Sequence, residues 1–240
     1  MEGIHYYNLF ATKGTEYLLT IIFFILLIPF WIMLNKKTRS ETVTNSIANI
    51  FGTVSVIPQH FYMAMNHIWI KPVKANHLRL GINHLIGNLV ITEQIVLKKN
   101  PGDAVAKGET IAELHCNGKL LQLVSPLSGV VQKTNPLLEK SSGINNLSPY
   151  SKAWMMELEA ENWQQEAQFL IRPTSVKSWM INELSRVRDF LVQIQSAHQP
   201  VAQPIILQDG GEIDPQEFAK MPHTIWNDFE QAFLKLPELN

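Results

Sequence analysis

An Asn117-Gly118 pair set between two apolar runs is the feature that most restricts this chain. A two-residue type I′ turn demands φ > 0 at both central positions, and Asn followed by Gly meets that demand at the least steric cost. Val105, Ile111 and Leu114 precede the pair, and Leu121, Leu123 and Val124 follow it. A second turn, Ser125-Pro126-Leu127-Ser128-Gly129, comes at once and leads into Val130-Val131. These are short strands folding back on themselves, with Lys119 beside the first bend. An ordinary antiparallel hairpin would leave that lysine solvated.

Strand patterns continue on both sides. Residues 67–73 alternate, 78–82 form a second strand, 84–89 read as a short helix or turn, and 89–97 are again β-rich. Asn100-Pro101-Gly102-Asp103 is a turn by composition, residues 135–149 are a loop, and 153–158 are a last strand. Residues 59–160 therefore read as one mostly β domain, a sandwich or barrel.

Residues 161–197 change character. Thr174 or Ser175 caps a helix in which Val176, Trp179, Met180, Leu184, Val187, Leu191 and Ile194 recur at spacings of three and four. The stripe packs on the β domain. Residues 198–240 hold a linker rich in Pro and Gly and then a helix from Asp214 or Pro215 to Leu234. Its Phe218, Ile225, Trp226, Phe229 and Phe233 need a partner surface, on this domain or on another protein.

The N-terminal region sets the expected location. Residues 17–34 carry no charge, and a helix of that length spans roughly 27 Å, close to the hydrocarbon thickness of a bilayer. A cleaved signal peptide fits poorly, because no small-x-small site follows the run. Lys36, Lys37 and Arg39 lie after it, against Lys13 before it, so the positive-inside rule places the main domain in the cytoplasm. The expected order is a short extracytoplasmic N-terminus (1–16), a single transmembrane helix (17–35), a juxtamembrane helix or linker (36–58) and then the β domain. The bacterial inner membrane is the expected site and its lipid bilayer an expected partner.

A net charge of −1 and a pI near 6.7 leave no electrostatic footprint for nucleic acid. The lone Cys116 excludes an internal disulfide. No Walker A, Gly-x-Gly-x-x-Gly, Gly-x-Ser-x-Gly or His-Glu-x-x-His pattern occurs, so no catalytic residue and no metal ligand is assigned. His115-Cys116 is the one suggestive pair, but strand neighbours point to opposite faces, and a buried inert thiol is expected. His77 and His84 lack visible partners for a metal. His67 is expected to pack or hydrogen-bond in the first strand, and Glu157, Glu159 and Glu161 to form a solvated edge.

Several segments, in order, resemble the glycine cleavage system H protein, a lipoyl carrier. They are Asn66-His67-Ile68-Trp69-Ile70, Leu78-Arg79-Leu80-Gly81-Ile82, Pro101-Gly102-Asp103 with Lys107-Gly108-Glu109, Ser125-Pro126-Leu127-Ser128-Gly129, Asn135 to Leu138, Ser148-Pro149-Tyr150 and Ala153-Trp154-Met155. The resemblance implies a barrel-sandwich hybrid of lipoyl type, giving a mainly β fold with helices at both ends. A lysine at a hairpin bend is how such carriers present their attachment site. Counted without gaps from Gly108 or back from Pro126, however, the lipoylated position falls on Gly118, and Lys119 is one residue late. A one-residue slip turns a strand side chain to the other face. The expected reading is a non-catalytic docking or assembly subunit of a membrane-bound complex, a redox complex among the hosts, without a cofactor. The alternative keeps lipoate on Lys119 as a carrier of reducing equivalents or C1 units.

Overall fold

The computed structural model describes residues 9–34, 58, 60–140, 147–197 and 215–237 of the 240-residue chain. Residues 1–45 and 46–240 form two separate compact units. The first holds α1 (Leu9–Leu34), a helix of 26 residues with Pro29 inside it. Its side chains at 17–30 are all exposed. Among the described residues no helix is long and apolar enough to cross a membrane. The expected spanning helix over 17–35 is to that extent not met. The expected juxtamembrane helix and the 198–214 linker lie outside the described residues, apart from Pro58.

The second unit is built on two antiparallel sheets. Its strands are β1 (Tyr62–Met63), β2 (Ile68–Lys74), β3 (His77–Ile82), β4 (Gln94–Leu97), β5 (Ala104–Val105), β6 (Thr110–Cys116), β7 (Lys119–Val124), β8 (Gly129–Thr134) and β9 (Trp154–Ala160). Six of them run in the order β1-β2-β3-β9-β8-β5, and three in the order β4-β6-β7. The short helix α2 (His84–Leu89) is capped by Asn83, whose side chain accepts from the Ile86 N–H. Such a cap satisfies one of the donors left free at a helix start. Helices α3 (Pro136–Lys140) and α4 (Trp163–Glu166) are single turns. They are followed by the long α5 (Val176–Ala197).

Residues on both faces of the strands feed the core. In β2, Ile68, Trp69 and Ile70 are all fully buried, and in β6 Ile111, Ala112, Leu114 and Cys116 are too. Trp69 lies across Gly81, its partner in the β2–β3 register. A Cβ at Gly81 would meet the indole at 2.3 Å. Glycine is required there by close approach, not by backbone conformation.

Three expectations change. The stretch 135–149, expected to be a loop, contains the single-turn helix α3 (Pro136–Lys140). Glu157 and Glu159 lie on β9, a central strand between β3 and β8 and not an edge. Their carboxylates pair across to Arg79 (2.5 Å) and His77 (3.8 Å). The terminal helix expected over 214–234 is broken in two, α6 (Pro215–Ala219) and α7 (His223–Phe229), the latter running on as a π turn at Glu230–Leu234. Pro222 causes the break: proline lacks a backbone N–H and disfavours helical geometry in the residue before it.

Candidate functional site

The hairpin apex folds as its sequence dictates. Asn117 and Gly118 have φ of 49° and 72°, the left-handed pair that a type I′ turn needs. Cys116 is opposite Lys119 in the β6–β7 register, and Glu113 is opposite Gln122. Gly118, on which the ungapped count is expected to put the carrier position, stands at the exposed tip. A Cβ added there would meet nothing within 4 Å.

Lys119 does not project from this tip. Its Nζ donates to the Ala219 carbonyl at 2.7 Å, and Asn117 Nδ2 donates to the same oxygen at 3.2 Å. Ala219 ends α6, where carbonyls lack intrahelical partners and basic side chains commonly supply the missing donors. The ammonium group also lies 5.3 Å from the centre of the Trp226 ring, in cation–π range. Farther along the free edge of β7, the Gln122 N–H donates to Glu230 Oε2 at 3.0 Å, and Lys235 Nζ donates to Gln122 Oε1 at 3.1 Å. Lys235 also pairs with Glu230 at 2.8 Å. The terminal helices therefore dock on this domain, resolving the two possibilities that their aromatics leave open. Phe218, Trp226, Phe229 and Phe233 are all buried, with Phe218 stacked on Trp226 at 4.8 Å.

Beneath the docked helices lies a buried polar relay. His67 precedes β2 with φ of 62° and is fully buried. Asn83 Oδ1 is committed to the cap of α2, so its amide Nδ2 faces His67 Nδ1 at 2.7 Å. Nδ1 is thus the acceptor, and the ring proton sits on Nε2. Nε2 lies 3.2 Å from Glu183 Oε2, in a contact poorly aimed for a hydrogen bond. Glu183 Oε1 pairs with Arg186 at 3.2 Å. Arg186 in turn donates to the Ala232 carbonyl at 2.5 Å and covers the Phe233 ring. Sequence reading missed Glu183. The available signal is that it interrupts the apolar stripe between Met180 and Val187 at helical spacing, where a charge must find a partner.

Burial holds the His67 pKa below its usual value, against the raising effect of Glu183, with Arg186 lowering it further. A depressed histidine pKa means the unfolded chain binds the proton more readily. Stability is then full above about pH 6.5 and declines as pH falls through the unfolded value toward the folded one. Burial lowers His84 in the same direction. The denaturation midpoint should therefore drop on acidification below about pH 6.5, with a shallower slope in His67→Ala than in the parent chain.

The remaining candidates are inert or paired. Cys116 is fully buried, and desolvation pushes its thiol up to about 12. His115 lies on the other face of β6 beside Glu113 at 3.9 Å. His84 sits near Asn88, at 3.4 Å. Among the described residues no group of three or more His, Cys, Asp or Glu could hold a metal ion.

Two antiparallel sheets with a glycine-tipped hairpin between β6 and β7 define a β domain of lipoyl type. The sequence model of the glycine cleavage H-protein family matches residues 61–183, just over half of the chain. The glycine cleavage system H protein of Staphylococcus epidermidis is 28% identical over 114 residues, covering 48% of this chain and 90% of that protein. That of Mycobacterium tuberculosis is 26% identical over 113 residues, covering 45% and 81%. A crystal structure of the Mycobacterium marinum H protein aligns over 44% of this chain and 87% of its own, at 22% identity and a TM-score of 0.39. The chain belongs to the glycine cleavage H-protein family. Helices α1, α6 and α7 and most of α5 lie outside the matched residues.

Proposed function

We propose that this chain is a non-catalytic docking subunit, an H-protein-like domain without lipoate that is tethered by its N-terminal helix at the cytoplasmic face of a membrane-bound complex. The observation that carries the reading is the Lys119 amine, which donates to the Ala219 carbonyl and lies over Trp226. Acylating that nitrogen would turn an ammonium into a neutral amide, removing the charge over the indole and wedging a chain between β7 and α6. The residues around Lys119 do not fit an attached lipoyl arm. Gly118, on which the ungapped count puts the carrier position, has no side chain to acylate.

The tether is supported by the uncharged 17–34 run within a 26-residue helix, and by the basic cluster Lys36, Lys37 and Arg39 after it. A shuttle must diffuse among several enzymes, and a tether opposes that. The partners of this reading are the bilayer and protein subunits. Full-length protein made in cells with an active lipoate ligase should show an unmodified intact mass. A lipoyl adduct mapped to Lys119 would overturn the reading in favour of the carrier alternative.

A further inference from the structure

We propose that His67 and Asn83 form a proton-operated latch on α2: a proton taken up at His67 Nδ1 turns the Asn83 amide over and strips the cap from the helix. The inference goes beyond the docking reading and does not depend on it. Asn83 makes two bonds with the two ends of one amide. Its Oδ1 accepts from the Ile86 N–H at 3.0 Å, while its Nδ2 donates to His67 Nδ1 at 2.7 Å. A neutral imidazole has one acceptor nitrogen, and an imidazolium has none. A proton on Nδ1 would set two donors face to face, which a buried site cannot leave unanswered.

Only the amide can respond. The ring is fully buried, with the Trp179 and Phe233 rings at 5.2 Å and 6.1 Å from its centre. The His67 N–H donates to the Ala64 carbonyl and the Asn83 N–H to the His67 carbonyl, each at 3.0 Å, so both backbones are pinned. Half a turn of the amide exchanges oxygen for nitrogen within the same volume. Oδ1 then accepts from the new Nδ1–H, and Nδ2 faces the Ile86 N–H, donor against donor. The first turn of α2 holds no acidic residue to take over the cap. Among the described residues the charged groups acting on the ring are both on α5: Glu183, with Oε2 at 3.2 Å from Nε2, and Arg186 beyond it. Asn83 and Phe233 face the ring without charge, and Met63 Sδ, 4.0 Å from Asn83 Nδ2, adds none. Burial resists the proton and Glu183 favours it, so the latch turns in acid. Because α2 buries Leu85, Ile86 and Leu89, one corner of the domain loosens before the sheets do.

The test is an NMR titration of the isotope-labelled full chain in detergent, from neutral pH downward. The His67 ring nitrogens report the proton, and the protection factor of the Ile86 amide reports the cap. Both should change with one midpoint, Ile86 losing about fivefold or more of its protection, while the amides of β3 and β9 keep theirs. Asn83→Asp puts a second carboxylate oxygen where Nδ2 stood, so it can cap α2 and accept from Nδ1–H at once. In that variant His67 should charge at higher pH and Ile86 protection should stay flat. Glu183→Gln should move the shared midpoint of the parent downward. The proposal is overturned if His67 charges in the parent while Ile86 keeps its protection, or if Asn83→Asp loses that protection as the parent does. It is equally overturned if His67 stays neutral until the sheets themselves unfold.

Discussion

Replacing His67 by alanine is expected to cost about 3–5 kcal/mol of stability, the scale on which a buried polar pair loses one partner. Three losses coincide. Asn83 Nδ2 gives up its acceptor at 2.7 Å, Glu183 gives up its contact at 3.2 Å, and a cavity opens beside Trp179, whose ring centre is 5.2 Å away. Alanine would also keep the positive φ of 62°, where a Cβ is strained and no hydrogen bond compensates. Denaturant midpoints measured at pH 7 and at pH 5.5 check the prediction. The deficit should be larger at pH 7, because the parent forfeits part of its own advantage on acidification. A variant within about 1 kcal/mol of the parent at pH 7 would mean that the relay is merely tolerated.

Substituting Gly81 is expected to be nearly as damaging, by the opposite route. A methyl group at Gly81 would sit 2.3 Å from Trp69 Cζ2 and 2.5 Å from Cε2. The indole has no room to retreat, being fully buried and packed against Phe61 at 5.0 Å and Tyr150 at 6.1 Å. Overpacking of this kind costs about 1–3 kcal/mol, and a rigid neighbour puts Gly81→Ala at the upper end. The check is a double-mutant cycle. Trp69→Leu alone opens a cavity and destabilises, but combined with Gly81→Ala it should cost well below the sum of the two single changes. Additive costs would show that the strain lies elsewhere than in the indole.

Much of the β domain was legible because its signals are local. The Asn117-Gly118 turn and the β2 and β3 runs each follow from a few adjacent residues and from period-two alternation, while 84–89 could be read only as a short helix or turn. The stripe that begins at Val176 was legible for the same reason, as a repeat of one helical face. Contacts made over long sequence separations were not. Nothing near Lys119 announces that its amine meets the carbonyl of Ala219, one hundred residues away (219 − 119). The aromatics of α7 said that a surface was needed without saying whose. The split between α6 and α7 was readable in Met221-Pro222 but was masked by the apolar spacing on either side. Glu157 and Glu159 looked like an edge because alternation gives a strand's faces and not its place in the sheet order.

The bonds between the hairpin and the terminal helices carry a consequence for biosynthesis. The ribosome emits β7 about a hundred residues before the segment that covers it (219 − 119). Throughout that interval a strand edge and a bed for four aromatic rings face the cell bare. A chain cut or terminated after residue 197 would keep them bare, so such fragments should aggregate more readily than the full-length chain.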